Sequence, residues 1–465
     1  MKQHYLKKIN WPDFGSEKIP PQFPFSEYQS RIQACQELLK KHKYTHLVIY
    51  ADREHFANLT YLTGFDPRFE ESLMIIRANE KPLILIGNEC FAYVDASPLC
   101  QNQQLRKELY QSFSLLNQPR TKSRKLIEIL KDEKISANSR IGCIGTKYFD
   151  SLESNDPQHA IDIPAYITDL LRNLAGFENI INASDLFLHP EYGLRTTLGI
   201  YDIAYMEYTN CLASEGVKEM IFAIKEGVSD FELVKKVGYN GTPLGCHLTF
   251  LTDSNQQFGL CSPDGSVIKK GSVFATNFCY WGANICRAGW IANDENDLPA
   301  SAKGYTKEFA GKYFEIMNEW FKKMRPGNIG GEIYDFIHKN LPFEVFGITL
   351  NPGHLIHLDE WTSSPIDKNS KIKLRSGMVF QVDIIPCSEK YFSTRMEDGI
   401  VIADANLQNK LKEKFPEVLK RCLARREFMN NELGFELPEE VLPLSNMTGI
   451  VNPFFLNPNL VFALK

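Results

Sequence analysis

The chain lacks any excess of positive charge: 52 Lys and Arg are set against 57 Asp and Glu, for a net charge of −5. Without a basic field there is nothing to draw a polyanion, so nucleic acid is not an expected partner. It also lacks any apolar run near the roughly 18 residues of a membrane span, so no membrane partner is expected. The opening stretch MKQHYLKKINWPDFG has no apolar segment of the kind a secretion signal carries. The 11 cysteines form no Cys-x-x-Cys pair and no zinc spacing. That pattern points to reduced thiols in a cytoplasmic protein rather than to a disulfide framework. Cys35 and Cys211, set in helical patterns, read as small core residues.

What is present exceeds one core: 465 residues imply at least two domains. Residues 1–190 alternate helix and strand, as an α/β layer domain does. Ser26 to Lys41 is amphipathic, with Ile32, Cys35, Leu38 and Leu39 on one face. THLVIYA, SLMIIRA, PLILIGN and SRIGCIGT are short apolar, largely β-branched runs bounded by polar or turn residues and predict strands of a doubly wound sheet. TKSRKLIEILKDE predicts a further helix.

Residues 191–465 read differently. From Ile203, the positions Met206, Ala213, Val217, Met220 and Ile224 keep helical spacing until Gly227 ends the helix. Ser229 and Glu232 then have capping-box spacing. One hundred residues later the pattern returns without gaps: IKEGVSDFELV at 224–234 aligns with MRPGNIGGEIY at 324–334. Both copies join a long helix, a Gly (Gly227, Gly327), a Glu (Glu232, Glu332) and a short helix, each followed by strand-like sequence. This predicts an internal pseudo-duplication. Beyond it, residues 406–434 read as a solvated helical face with a basic end. The apolar tail 441–465 is expected to pack back on a domain or on a second subunit.

A duplicated domain of this kind behind an α/β domain resembles the creatinase / aminopeptidase P family, whose second domain is an α+β pita-bread fold. The motifs GFDPRFEESLMII, NPGHLIHLDEW, LRSGMVFQVDIIP and RMEDGIVI are similar to that family's, and the resemblance spans roughly residues 40 to 405. In the family's peptidases, two Asp, one His and two Glu hold two divalent ions. The resemblance places Asn277 and Asn284 at the Asp positions, His354 at the His, and Asp383 and Glu397 at the two Glu. Two further catalytic histidines fall on Cys261 and Trp361. Creatinase works without metal, but its Ala-His-Asn-Pro is here Leu260-Cys261-Ser262-Pro263.

Physical chemistry gives these substitutions meaning. Four carboxylates neutralise two divalent ions, whereas amide oxygens accept hard cations without supplying charge. Two close ions are therefore not expected here, and at most one, held by His354, Asp383 and Glu397, is compatible with the ligands left. His354 is a candidate acid/base or a hydrogen-bonded structural histidine. His357, three residues on in a strand, would face away. Asp383 and Glu397, on apolar strands, must be paired, metal-bound or protonated. Arg287 and Arg395 could pair them or bind a substrate carboxylate bidentately. Cys261 is a candidate nucleophile beside His354, or an inert thiol; His247 is a weaker acid/base candidate. Trp281 and Trp361, with Tyr280, could wall a planar or cationic substrate or belong to the core. Arg53 or His55 could reach across a dimer, or simply lie in a solvated loop.

The sequence thus predicts an α/β domain followed by a pita-bread domain, with a small molecule or short peptide and a second copy of the chain as expected partners. The leading expectation is a metal-independent, creatinase-like hydrolase of a C–N bond. A single-metal Xaa-Pro aminopeptidase and a non-catalytic binding protein are the alternatives.

Overall fold

The computed structural model describes residues 2–253 and 259–465. It divides into two compact units: Gln22–Leu194, and Arg195–Lys465 together with Met1–Pro21. The first 21 residues, assigned to the N-terminal domain from sequence, therefore belong with the C-terminal unit. The cause is a strand: His4–Lys8 pairs antiparallel with Leu460–Leu464, Leu6 opposite Phe462.

Unit Gln22–Leu194 is built on a six-stranded sheet. Its strands His46–Ala51, Ser72–Arg77, Leu83–Ile86 and Ile141–Ile144 are the four apolar runs read from the sequence. Alternation along His46–Ala51 sends Leu47, Ile49 and Ala51 to one core and Val48 and Tyr50 to the other. Helices on both faces, such as Phe25–His42 and Ala165–Ala175, cover these two cores. The sheet is mixed rather than wholly parallel, because His46–Ala51 pairs antiparallel with Ser72–Arg77 and parallel with Ile141–Ile144. Ser72–Arg77 and Leu83–Ile86, also antiparallel, are joined by residues 78–82 alone, too short a link for the crossover that a parallel pair would need.

The C-terminal unit carries the duplication. The helix Ile200–Phe222 is followed by the short helix Asp230–Val234, and Gly311–Lys323 by Gly330–Asn340. Gly227 and Gly327 both have positive φ, 86° and 91°, a backbone that glycine adopts without cost. Their amides make matching bonds, Gly227 to the Ile268 carbonyl (3.0 Å) and Gly327 to that of Leu374 (2.9 Å). Two residues on, Ser229 bridges Val267 and Ile329 bridges Lys373, both antiparallel. Ser229 and Glu232 form the capping box, with the Ser229 amide donating to Glu232 Oε2 at 3.0 Å. The duplication is therefore one of hydrogen bonding as well as of sequence.

Each repeat contributes a sheet. The first has three strands, centred on the hairpin Val273–Tyr280 and Ala283–Trp290. The second has four: His354–Leu355, Val379–Gln381, Gly399–Ile402 and, from the tail, Val441–Pro443. A bridge between Cys286 and Glu397 joins the two sheets. The tail thus packs back on its own unit. The stretch expected as a solvated helical face forms the helices Ala405–Lys414 and Pro416–Asn431, and the second is not solvated on one side. Arg421 and Arg425 both reach the fully buried Glu207, each at 2.7 Å, because a buried carboxylate requires paired donors.

Candidate active site

The seam between the two sheets holds a cavity of about 300 Å³. Strand register decides which side chains face it. In the hairpin, Asn277 pairs with Cys286 and Cys279 with Asn284, so these four share one face. In the second sheet, His354 pairs with Gln381 and Gln381 with Gly399. Continuing that register sets Asp383 opposite Glu397, as the Val382 amide bonded to the Asp398 carbonyl (3.0 Å) confirms. Asn277, Asn284, Asp383, Arg395 and Glu397 all line the cavity.

His354 is placed from behind by packing. The indole N–H of buried Trp320 donates to the Pro352 carbonyl (3.0 Å). Gly353 follows with φ 104°, and a Cβ there would lie 2.9 Å from the Trp320 ring. Only glycine satisfies both conditions. After Leu355 the chain turns and returns at Ser363, with the Leu355 amide donating to the Ser363 carbonyl at 2.7 Å. This return lays Trp361 on the His354 ring, with centroids 3.9 Å apart. It also brings Glu360 Oε1 to 3.4 Å from His354 Nε2, while Asp383 Oδ2 lies at 3.7 Å.

Polar order runs through the two amides. Thr249 donates both its backbone N–H (3.1 Å) and its hydroxyl to Asn277 Oδ1. Asn277 Nδ2 is thereby turned toward Asn284 Oδ1 (3.3 Å) and the Cys246 sulfur (3.6 Å). Asn284 Nδ2 in turn donates to Glu397 Oε1 at 2.8 Å, and Glu360 Oε1 lies 3.5 Å away. The two amides on this ribbon thus relay hydrogen bonds from Thr249 to the carboxylates.

The titrations follow from burial and crowding. Burial opposes an imidazolium at His354, but Glu360 and Asp383 outweigh it and hold the ring above its usual value. Burial opposes the Glu360 anion too, yet His354 and the Asn284 amide hold that carboxyl below its usual range. Burial lifts Asp383 to about 6, with His354 pulling down and Glu360 pushing up. Burial and then Asp383 raise Glu397 well above the ordinary range. Among the described residues, Asp383 Oδ1 has no hydrogen-bond partner.

Several expected residues lie elsewhere. Arg287 is not a substrate ligand. One position from Cys286 on the strand, it points to the opposite face and pairs with buried Asp398 at 2.8 Å. It also donates to the carbonyls of Cys286, Glu397, Met447 and Ile450. Cys261 is displaced from the cavity: its side chain packs on the core, and the wall is formed by Leu260. Trp281 sits in the hairpin turn beyond the strand end, its amide bonded to the Pro243 carbonyl (3.1 Å), and does not line the cavity. His357 is buried near Asp202 (3.6 Å), away from the lining, and His247 is exposed. Arg395 does line the cavity, with Nη1 donating to the Cys286 sulfur at 3.3 Å.

Sequence reasoning gave no role to Glu360 and did not notice Cys246 or Thr249, all cavity residues. Glu360 stood beside Trp361 in the quoted motif, but nothing local revealed that the chain doubles back there. A second cavity of about 310 Å³, beside Ile19 and Phe415, gathers no buried titratable groups, and its Glu17 is paired with Arg421 (2.9 Å).

No family model and no curated protein matches this sequence. Solved structures do match. The prolidase from Pyrococcus horikoshii OT3 aligns with TM-score 0.60 and 16% identity over 80% of this chain and 95% of its own. The X-Pro aminopeptidase from Thermotoga maritima MSB8 gives 0.58 and 16% over 80% and 95%. The N-terminal domain of the FACT complex subunit SPT16 from Cicer arietinum (chickpea) gives 0.57 and 14% over 82% and 95%. The chain therefore has the pita-bread fold, which peptidases share with a domain of a FACT subunit. Fold alone does not choose between catalysis and binding. No helix among the described residues is long and apolar enough to cross a membrane.

Proposed function

We propose that this pocket hydrolyses a C–N bond in a small polar molecule or short peptide, with Asp383 and Glu397 dividing the proton transfers. The observation that carries the reading is the gathering of Glu360, Asp383 and Glu397 on one cavity, with buried His354 within 3.7 Å of the first two. Two carboxyls whose surroundings give them different titrations can serve as base and acid at one pH. Asp383, at about 6, is ionised at neutral pH and accepts a proton from the attacking water. Glu397, whose carboxyl burial and Asp383 raise well above its ordinary value, delivers one to the departing nitrogen. The His354–Glu360 pair fixes the local charge under Trp361, and Arg395 offers its guanidinium to a substrate carboxylate.

The pair of divalent ions implied by the fold's peptidases does not fit these residues. Asn277 Oδ1 already accepts from two Thr249 donors and Asn284 Oδ1 accepts from Asn277, and neither amide supplies negative charge. The carboxylates that would balance four positive charges are also too few. A single ion is the second reading, favoured by one observation: His354, Glu360 and Glu397 each present a ligand atom, all within 4.8 Å of one another. Glu360 there takes the place given to Asp383 from sequence. An ion so held would polarise a substrate carbonyl.

The experiment is amine release from a panel of dipeptides, amides and guanidino compounds, with chelator-treated protein and with added manganese or zinc. Turnover in chelator, lost in Glu397→Gln, is the expected result. Turnover only with metal selects the second reading. No turnover of any compound under either condition overturns the assignment as a hydrolase.

A further inference from the structure

Cys246 lies on the wall of the pocket beside Asn277 and is half-buried. Its neighbour across the chain is the buried Cys279. Leu244 bridges Tyr280, and the Gly245 amide donates to the Cys279 carbonyl at 3.0 Å, so the segment 244–246 runs against the end of the hairpin strand. Gly245 makes the close approach possible. A Cβ there would stand 2.5 Å from the Cys279 sulfur, which instead lies over the bare glycine next to Cys246 in the chain and donates to the Tyr280 carbonyl at 3.6 Å.

We infer that Cys246 and Cys279 form an oxidisable dithiol in this pocket, Cys246 reacting with a hydroperoxide and Cys279 resolving the product to a disulfide. Neither step draws on the hydrolytic reading.

Three features assign the roles. Asn277 cannot turn its amide away, because Thr249 holds Oδ1 from two donors, so Nδ2 stays aimed at the Cys246 sulfur (3.6 Å). The Cys279 thiol and then Asn277 hold Cys246 below the ordinary thiol value, against burial and nearby Glu360. The neighbouring Cys246 sulfur, and then burial, push the Cys279 thiol well above its ordinary value. A thiolate is the nucleophile, and the neutral neighbour is the resolving thiol. The other cavity cysteine, Cys286, is fully buried against the Arg395 guanidinium, and burial raises its thiol. The cavity is also a site prepared for a polar guest, since the 5%-exposed Asp383 lines it with Oδ1 unpartnered.

The chemistry balances. The Cys246 thiolate attacks one peroxide oxygen; an S–O bond forms, the O–O bond breaks, and the alkoxide or hydroxide leaves and takes a proton. The Cys279 sulfur then attacks the Cys246 sulfenic acid; the S–S bond forms, the S–O bond breaks, and water departs with the Cys279 proton. Two thiols lose two electrons, and the peroxide gains them.

The test is mass spectrometry of the full chain after brief exposure to hydrogen peroxide, with tandem fragmentation separating Cys246 from Cys261 and Cys279 from Cys286. The expected product is a Cys246–Cys279 disulfide, reversed by dithiothreitol. In Cys279→Ala, dimedone should instead trap Cys246 as its sulfenic acid. Should that variant fail to fold, iodoacetamide labelling of the unaltered protein at pH 7 provides a second measurement. Cys246 should label at least about tenfold faster than Cys100 or Cys261. Oxidation elsewhere first, a disulfide to any other cysteine, or labelling of Cys246 no faster than those two overturns the inference.

Discussion

Replacing Asn284 by Asp tests the physical reason for the amides. Asn284 Nδ2 lies 2.8 Å from Glu397 Oε1 and 3.5 Å from Glu360 Oε1. The substitution removes a donor and brings a third carboxyl to the same point. At an effective dielectric of about 20, two unit charges at about 3.5 Å repel by about 5 kcal/mol. Proton uptake relieves part of this, leaving a loss of about 2–4 kcal/mol in chelator at pH 7. For a unit of this size that is a fall in Tm of roughly 5–12 °C. The sign with pH is fixed. The new acid titrates higher folded than unfolded, so its deficit is absent below the unfolded carboxyl value near ~4 and grows as pH rises. Manganese should restore stability, by about 2.7 kcal/mol at a hundred times its Kd. Differential scanning fluorimetry reads both effects. A variant as stable as the parent in chelator at pH 7, or a parent that gains as much from manganese, would refute the reasoning.

Further expectations follow from the same contacts. Arg287→Met should cost about 3–5 kcal/mol by chemical denaturation, because it strands Asp398 as a buried, unpaired carboxylate; a loss below about 1 kcal/mol would place Arg287 outside the structural core. If Asp383 is the base, kcat/KM should rise with pH through about 6 and then level; a flat profile from 5 to 7 removes Asp383 from that role. Trp361→Ala uncovers the His354 ring and should raise KM with little loss of kcat, and an unchanged KM would deny the indole any contact with substrate. Glu207 is held below the usual carboxyl range against burial by Arg421 and Arg425, so its contribution is present above its unfolded value and lost as pH falls through the lower folded one. Glu207→Gln should therefore flatten the acid limb of the stability curve, and an unaltered limb would contradict that pairing.

The parts of the fold written in local pattern were legible in advance. The apolar runs of the first unit, the Ser229–Glu232 capping box and the Gly227/Gly327 repeat each depend on neighbours within a few residues, and each reappears as a strand, a cap or a matched hydrogen bond. Pairings across the chain were not legible. No local signal tells His4–Lys8 that its partner is Leu460–Leu464. The same limit governs the site. The family resemblance singled out Asn277, Asn284 and Asp383, but the face each presents depends on register, and register put Arg287 behind the sheet rather than in the cavity. Glu360 reaches His354 only because the chain doubles back between Leu355 and Ser363. Cys261 drew notice through its motif position, whereas Cys246 reaches the wall through a bend that a glycine permits beside Cys279.

The most direct test of the central claim, that the two amides have closed this pocket to a dinuclear centre, is an ion count. The protein would be equilibrated with excess manganese or zinc, desalted, and its metal-to-chain ratio measured by inductively coupled plasma mass spectrometry. The account predicts at most one ion per chain, and loss of any such ion in Glu360→Gln or Glu397→Gln. Two tightly held ions per chain would contradict it.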